Sequence, residues 1–267
     1  MRFWASSLLL LALSSAVRAA PDAFEELSER MSLARHGNVI VATSASAETA
    51  DAYARRFSAY DAEIRARYFS SLDDRPIRFI VDEDASRLDR LGAEPAAEQG
   101  EPTVEPSAYY HRQDRIVVVS AAHDDAAVRR ELTRALLHAD NPDAPHWFET
   151  AMASLYESSN VHGSALTPVL DDRMARIAAD EDLDYDVFAG ICDCYQITPE
   201  QLALMRLLLV FLHERGQLTK LYEVIEDKGR YVTLLEALDA MSFDGEAWRR
   251  YAEENVQAFW KSRDGGS

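Results

Sequence analysis

Arg130, Glu131 and Arg134 stand in the pattern Arg-Glu-x-x-Arg, and Thr150 follows sixteen residues after Arg134. On a helix, side chains four apart share one face. The two arginines would therefore stand in one row, with Glu131 beside them. Histidines at those two positions would bring two imidazole nitrogens to one zinc ion, with the carboxylate next to it as general base. Arginine does different chemistry. Its guanidinium stays protonated, offers a metal no lone pair, and binds carboxylates instead. Two guanidiniums would also repel a dication. From the residues alone the pattern fits ordinary ion-pair formers on a solvated helix face. Arg130 or Arg134 is then expected to pair with a carboxylate, that of Glu131, Glu149 or Glu157. Glu149 lies one residue from Thr150, which on a helix is a turn of about 100°, so it should point elsewhere.

Other residues invite chemistry less strongly. Glu131, His138 and His146 could in principle make a displaced metal site, but no two of the chain's later histidines sit four apart. Asp180-Glu181-Asp182-Leu183-Asp184-Tyr185-Asp186 alternates acids like a calcium loop yet lacks the turn glycine and the closing glutamate, so a solvated acidic loop is expected. Cys192 and Cys194 form Cys-Asp-Cys. Disulfide oxidoreductases use Cys-x-x-Cys in a thioredoxin-like setting, so a local or cross-dimer disulfide is the expectation here. No nucleophile elbow and no phosphate-binding glycine loop is present.

These residues must be positioned by elements whose signals are mostly local. Val39-Ile40-Val41 reads as a short strand after His36-Gly37. Ser46 caps a helix reaching about Phe69, with Tyr53, Phe57, Tyr60, Ile64 and Tyr68 at helical spacing. Ile77 to Val81 is a strand, and a short helix from Asp82 to Leu91 ends at Gly92. Residues 93–106 read as a loop. Ala108 to His111 and Arg115 to Val119 form a hairpin about Gln113-Asp114. Asp124 or Asp125 opens the helix carrying Arg130, Glu131 and Arg134, which ends near Ala139. A second helix runs from Ala144-Pro145 to Glu157 and carries Glu149 and Thr150. Residues 158–170 read as a loop. Thr198-Pro199-Glu200-Gln201 is a capping box with proline at the first helical position. It opens an apolar helix ending at Gly216, and two or three further helices fill 217–262. Strands and a helix first, then helices alone, predict an α+β fold: a small mixed sheet with helices on one side and a helical C-terminal half.

The stretch Val128-Arg129-Arg130-Glu131-Leu132-Thr133-Arg134-Ala135-Leu136-Leu137, followed by Pro145-His146-Trp147-Phe148-Glu149-Thr150-Ala151-Met152-Ala153-Ser154-Leu155-Tyr156-Glu157, resembles the peptidase MA-like family of gluzincins. There the first stretch reads His-Glu-Leu-Thr-His-Ala-Leu-Leu and the second Pro-x-Trp-Leu-x-Glu-Gly-Leu-Ala-x-x-Tyr-Glu. The order of the flanking strands and long helix, the run Phe211 to Leu218 with Leu221-Tyr222, and Met241-Ser242-Phe243 before Trp248 are similar to the family too. The likeness extends over about residues 35–260. It implies a zincin-like fold. It also places Arg130 and Arg134 at the two histidine positions, Thr150 at the third zinc-ligand position, and Glu131 at a vestigial general-base position. The resemblance therefore implies a degenerate member with no zinc and no other cofactor, whose former cleft binds a peptide or protein partner. The alternative it leaves is an active metallopeptidase or hydrolase with zinc in an unconventional site.

The N-terminus carries Arg2 and an apolar run, Phe3 to Leu13, of signal-peptide length and too short for a bilayer. Cleavage after Ala19 is expected, giving an exported protein, periplasmic or secreted. Residues 20–160 would form the zincin-like part and 161–267 the helical part of the same unit. Apolar residues make up 48% of the chain, enough for a sizeable core. The formal charge is −18. Such acidity disfavours nucleic acid and anionic lipid as partners and favours solubility.

Overall fold

The computed structural model describes residues 23–69, 72, 75–82, 107–121, 124–157, 159–162, 165–169, 188–189, 191 and 197–264. The expected signal peptide, the helix after Asp82, the 93–106 loop, the acidic run 180–186 and the Cys192–Cys194 pair lie outside these residues. The fold is α+β. Among the described residues there are eight helices, and none is long and apolar enough to cross a membrane.

A short helix α1 (Ala23–Ser28) leads into strands β1 (Ser32–His36) and β2 (Val39–Thr43), then helix α2 (Ala47–Tyr68). Strand β3 (Ile77–Asp82) is followed by β4 (Ala108–His111) and β5 (Ile116–Ser120). Together they make a five-stranded sheet in the order β1-β2-β3-β5-β4. The three central strands run parallel, and both outer strands are antiparallel to their neighbours. The inner strands alternate faces with period two. Val39, Val41, Phe79, Val81, Val117 and Val119 join the main core, whereas Ala42, Ile80, Ile116 and Val118 join a smaller one with Phe24 of α1. Both faces are therefore used, with α1 on the face where no helix was expected.

Strand β1 is a departure from expectation, since the sequence there reads Ser-Leu-Ala-Arg-His and showed no strand signal. Its burial alternates weakly and Leu33 is 56% exposed, because an edge strand meets the core on only part of one face. The β1–β2 turn needs Gly37, whose φ is +51° and whose missing Cβ would meet Ser58 Oγ at 3.1 Å. The β4–β5 turn extends one residue further than read. Arg115 sits at φ +54°, and β5 starts at Ile116.

Helix α2 is capped as expected, Ser46 Oγ accepting from Thr49 N at 3.1 Å. It buries Phe57 and Ile64 completely. Helices α3 (Asp125–Asp140) and α4 (His146–Glu157) form a tightly packed hairpin, with α3 lying against β4 and β5. Asp124 is the cap of α3, accepting from Ala126 N at 2.9 Å. The expected 158–170 loop is corrected. It contains a small hairpin of β6 (Ser159–His162) and β7 (Ala165–Pro168), with Leu166 fully buried. Strands of four residues are too short for alternation to be read.

Helix α5 (Pro199–Glu214) has the full capping box, with Thr198 Oγ1 accepting from Gln201 N and the Gln201 side chain accepting from Thr198 N. Helices α6 (Leu218–Lys228), α7 (Leu234–Ala240) and α8 (Gly245–Asp264) complete the chain. One core runs from β2 through α2, α3, α4 and α5 to Trp248 and Ala252 of α8, so the two expected parts share a single interior. Trp147 anchors it, its Nε1–H donating to Val232 O at 2.8 Å from a side chain 1% exposed.

Candidate functional site

The middle of α3 lies beside β4, and that packing decides what Arg130, Glu131 and Arg134 do. Glu131 is 1% exposed. Its Oε1 accepts from Arg130 Nε at 2.7 Å and from Arg134 Nη1 at 3.3 Å. Its Oε2 accepts from the Tyr110 backbone N–H at 3.0 Å and from Arg134 Nη1 at 3.4 Å. A buried carboxylate needs this kind of saturation, because a bare one would carry its whole desolvation cost. Both oxygens are thus spent on protein donors.

Arg130 reaches across to α4, its Nη1 donating to Glu157 Oε1 at 3.0 Å. Burial works against its charge, but Glu131 and Glu157 outweigh burial and hold the guanidinium more firmly protonated than usual. The expected pairing of these arginines with acids is therefore present, with Glu131 and Glu157 as the acids. Glu149 is not among them. It pairs with Arg112 of the β4–β5 turn, Arg112 Nη2 donating to Glu149 Oε2. Thr150 is buried, and its hydroxyl meets His146 Nε2 at 3.5 Å, one turn back on the same helix.

Arg129 is a functional neighbour that the spacing did not single out. Its Nε and Nη2 donate to the carbonyls of Tyr156 and Glu157, each at 3.0 Å. These are terminal carbonyls of α4 that helix geometry leaves unpaired, and a cation there also faces the negative end of the helix dipole. Arg129 and Arg130 thus fasten the start of α3 to the end of α4 through backbone and side chain respectively.

At the other end of α3, the Tyr110 hydroxyl meets His138 Nδ1 at 2.8 Å. Burial, with Arg112 and Arg115 adding to it, lowers the His138 imidazole to about 4. Burial pushes the Tyr110 phenol up to about 12 against the pull of those arginines. Glu131, His138 and His146 each have such partners and do not converge. Among the described residues no three His, Cys, Asp or Glu side chains gather as a metal site. Arg130 and Arg134 offer a metal no lone pair and add positive charge, so the residues present do not fit zinc.

The contacts of Tyr110 and Arg112 were not legible beforehand. They join residues 21 and 37 apart in sequence. The available clue is charge: Arg112 lies in the turn between β4 and β5. No family model matches the chain, and no curated protein matches it.

Proposed function

We propose that this is an exported gluzincin-like pseudopeptidase, a zincin-type scaffold that performs no metal chemistry and binds a peptide or protein partner through the former cleft. The observation that carries this reading is the saturation of Glu131, whose two oxygens take donors from Arg130, Arg134 and the Tyr110 backbone. A general base must hold a lone pair toward the water it deprotonates, and Glu131 has neither the lone pair to spare nor the exposure. In this reading Arg130 and Arg134 stand where the metal-ligating histidines would be and bring charge of the wrong sign. The order of sheet strands, the α3–α4 hairpin and the buried Trp147 support the scaffold half of the proposal.

Metal analysis of the full-length protein purified without chelator tests it, together with proteolysis assays in the presence and absence of a chelator. The expected outcome is far less than one zinc per chain and no chelator-sensitive cleavage. Near one zinc per chain would overturn the reading and favour the unconventional hydrolase.

A further inference from the structure

We propose that the free edge of the Arg134 guanidinium takes a carboxylate of the ligand, foremost the C-terminus of a peptide; this rests on the non-catalytic cleft above. Arg134 spends only Nη1 on protein, donating it to both oxygens of Glu131. Nε and Nη2 have no partner among the described residues. These two atoms are the pair that bonds a carboxylate in parallel, two-point fashion. The Arg134 side chain is 21% exposed, and neither Nε nor Nη2 is a buried unpaired atom, so both stay within reach of a ligand.

The surroundings favour an anion at that edge. Glu131 turns both oxygens inward to donors, Glu157 is engaged by Arg130, and Glu149 is engaged by Arg112. The nearby acids are thus each matched by a guanidinium, and Arg134 is the arginine of the cluster whose two-point edge is left over. The chain as a whole is at −18, so a site that admits an anion must be locally compensated in this way. The mode of binding is also constrained. Tyr110 has already given its N–H to Glu131, so an extended peptide cannot add to β4 through that donor. Capture by the end of the chain uses the side-chain donors that remain.

The test follows the arginine Nε–Hε signals of the full chain by NMR at fixed ionic strength. The Arg134 signal is assigned by its loss in Arg134→Lys. The probes are a pool of N-acetylated tripeptides with free C-terminal carboxylates, the same pool amidated, and sodium acetate. The expected result is a saturable shift of the Arg134 signal with the acid pool and none with the amidated pool. Acetate acting at the same concentrations as the peptides would keep the carboxylate and assign the source to small acids. Arg134→Lys, which keeps the charge and loses the fork, should weaken binding of the acid pool by about tenfold or more. An Arg134 signal unmoved by every probe, or moved equally by acid and amide pools, overturns the proposal. A zinc-free, non-proteolytic protein with a silent Arg134 loses this inference alone, whereas a zinc-bearing protein loses the reading beneath it.

Discussion

Two adjacent residues at the end of α4 enter two differently built polar assemblies. Glu157 joins the network of Arg130, Glu131 and Arg134, which balances charge against charge. Tyr156 packs edge-on to Tyr68 of α2, with ring centroids 6.3 Å apart, and Tyr68 belongs to a cluster with His213 of α5. There Arg67 Nη1 lies 3.0 Å from His213 Nε2. A guanidinium only donates, so Nε2 must accept and the imidazole must be neutral. Its proton then sits on Nδ1, which donates to the Tyr68 hydroxyl at 2.7 Å. Glu63 holds Arg67 in place from one turn back, Nη2 to Oε1 being 2.5 Å. Burial and the nearby Arg67 lower the His213 pKa accordingly. The first assembly fails when a partner is removed; the second fails when a proton is added.

The largest expected effect comes from removing the partner that the first assembly shares. Glu131→Ala leaves Arg130 and Arg134 facing each other across a buried gap, and stability should fall by about 3–5 kcal/mol. Urea denaturation of the two proteins measures it. A loss below about 1 kcal/mol would mean that the network is solvated and contributes little, and the contrast with the second assembly would collapse.

Mild acid should act next, and on the histidines. The ordinary imidazole value is 6.5, while folded His138 is lowered to about 4. Between those values the unfolded chain binds more protons than the folded one. Stability therefore falls as pH drops from about 6.5 toward about 4 and levels off below. His213 adds a loss of the same sign. Both rings are partly exposed, so after allowance for solvent screening the His138 share should be about 1–2 kcal/mol, with His213 acting in the same direction. The double substitution His138→Gln with His213→Gln should flatten the pH profile over that window. An unchanged slope in the double variant would show that other groups carry it.

The smallest effect sharpens the boundary of the first assembly. Arg112 is 49% exposed where it meets the buried Glu149, so water can solvate the guanidinium that a neutral Glu149→Gln would leave unpaired. Glu149→Gln should cost about 0.5–1 kcal/mol by thermal or urea unfolding. A loss as large as that of Glu131→Ala would place Glu149 inside the buried network.

The same contrast between local and distant partners explains what the sequence disclosed. Ser46, Asp124 and Thr198 cap their helices through contacts no more than three residues away, and each was readable. Phe57 and Ile64 announced the buried face of α2 through helical spacing. Strand β1 did not announce itself, since Leu33 faces outward and the strand is held by pairing to β2. The β6–β7 hairpin was equally silent. At the site, Glu131 and Glu157 were foreseeable partners of the arginines because one lies on the same helix turn and the other in the paired helix. The Tyr110 N–H and Arg112 come from a strand edge and a turn whose placement depends on the finished sheet, and no spacing along the chain encodes that.

If α3 and α4 are a zinc-site scaffold with its ligand positions replaced, restoring those positions should restore metal binding. Replacing Arg130→His, Arg134→His and Thr150→Glu together removes two guanidiniums and puts two imidazoles four apart on one helix face, with a carboxylate on the facing helix. Loss of the groups that orient such ligands costs roughly 10–100-fold in affinity, so modest binding suffices and activity is not required. Calorimetry and metal analysis of the folded triple variant beside the parent decide the matter. One zinc per chain is expected in the variant and none in the parent. A correctly folded variant that binds no more zinc than the parent would contradict the gluzincin reading of these two helices.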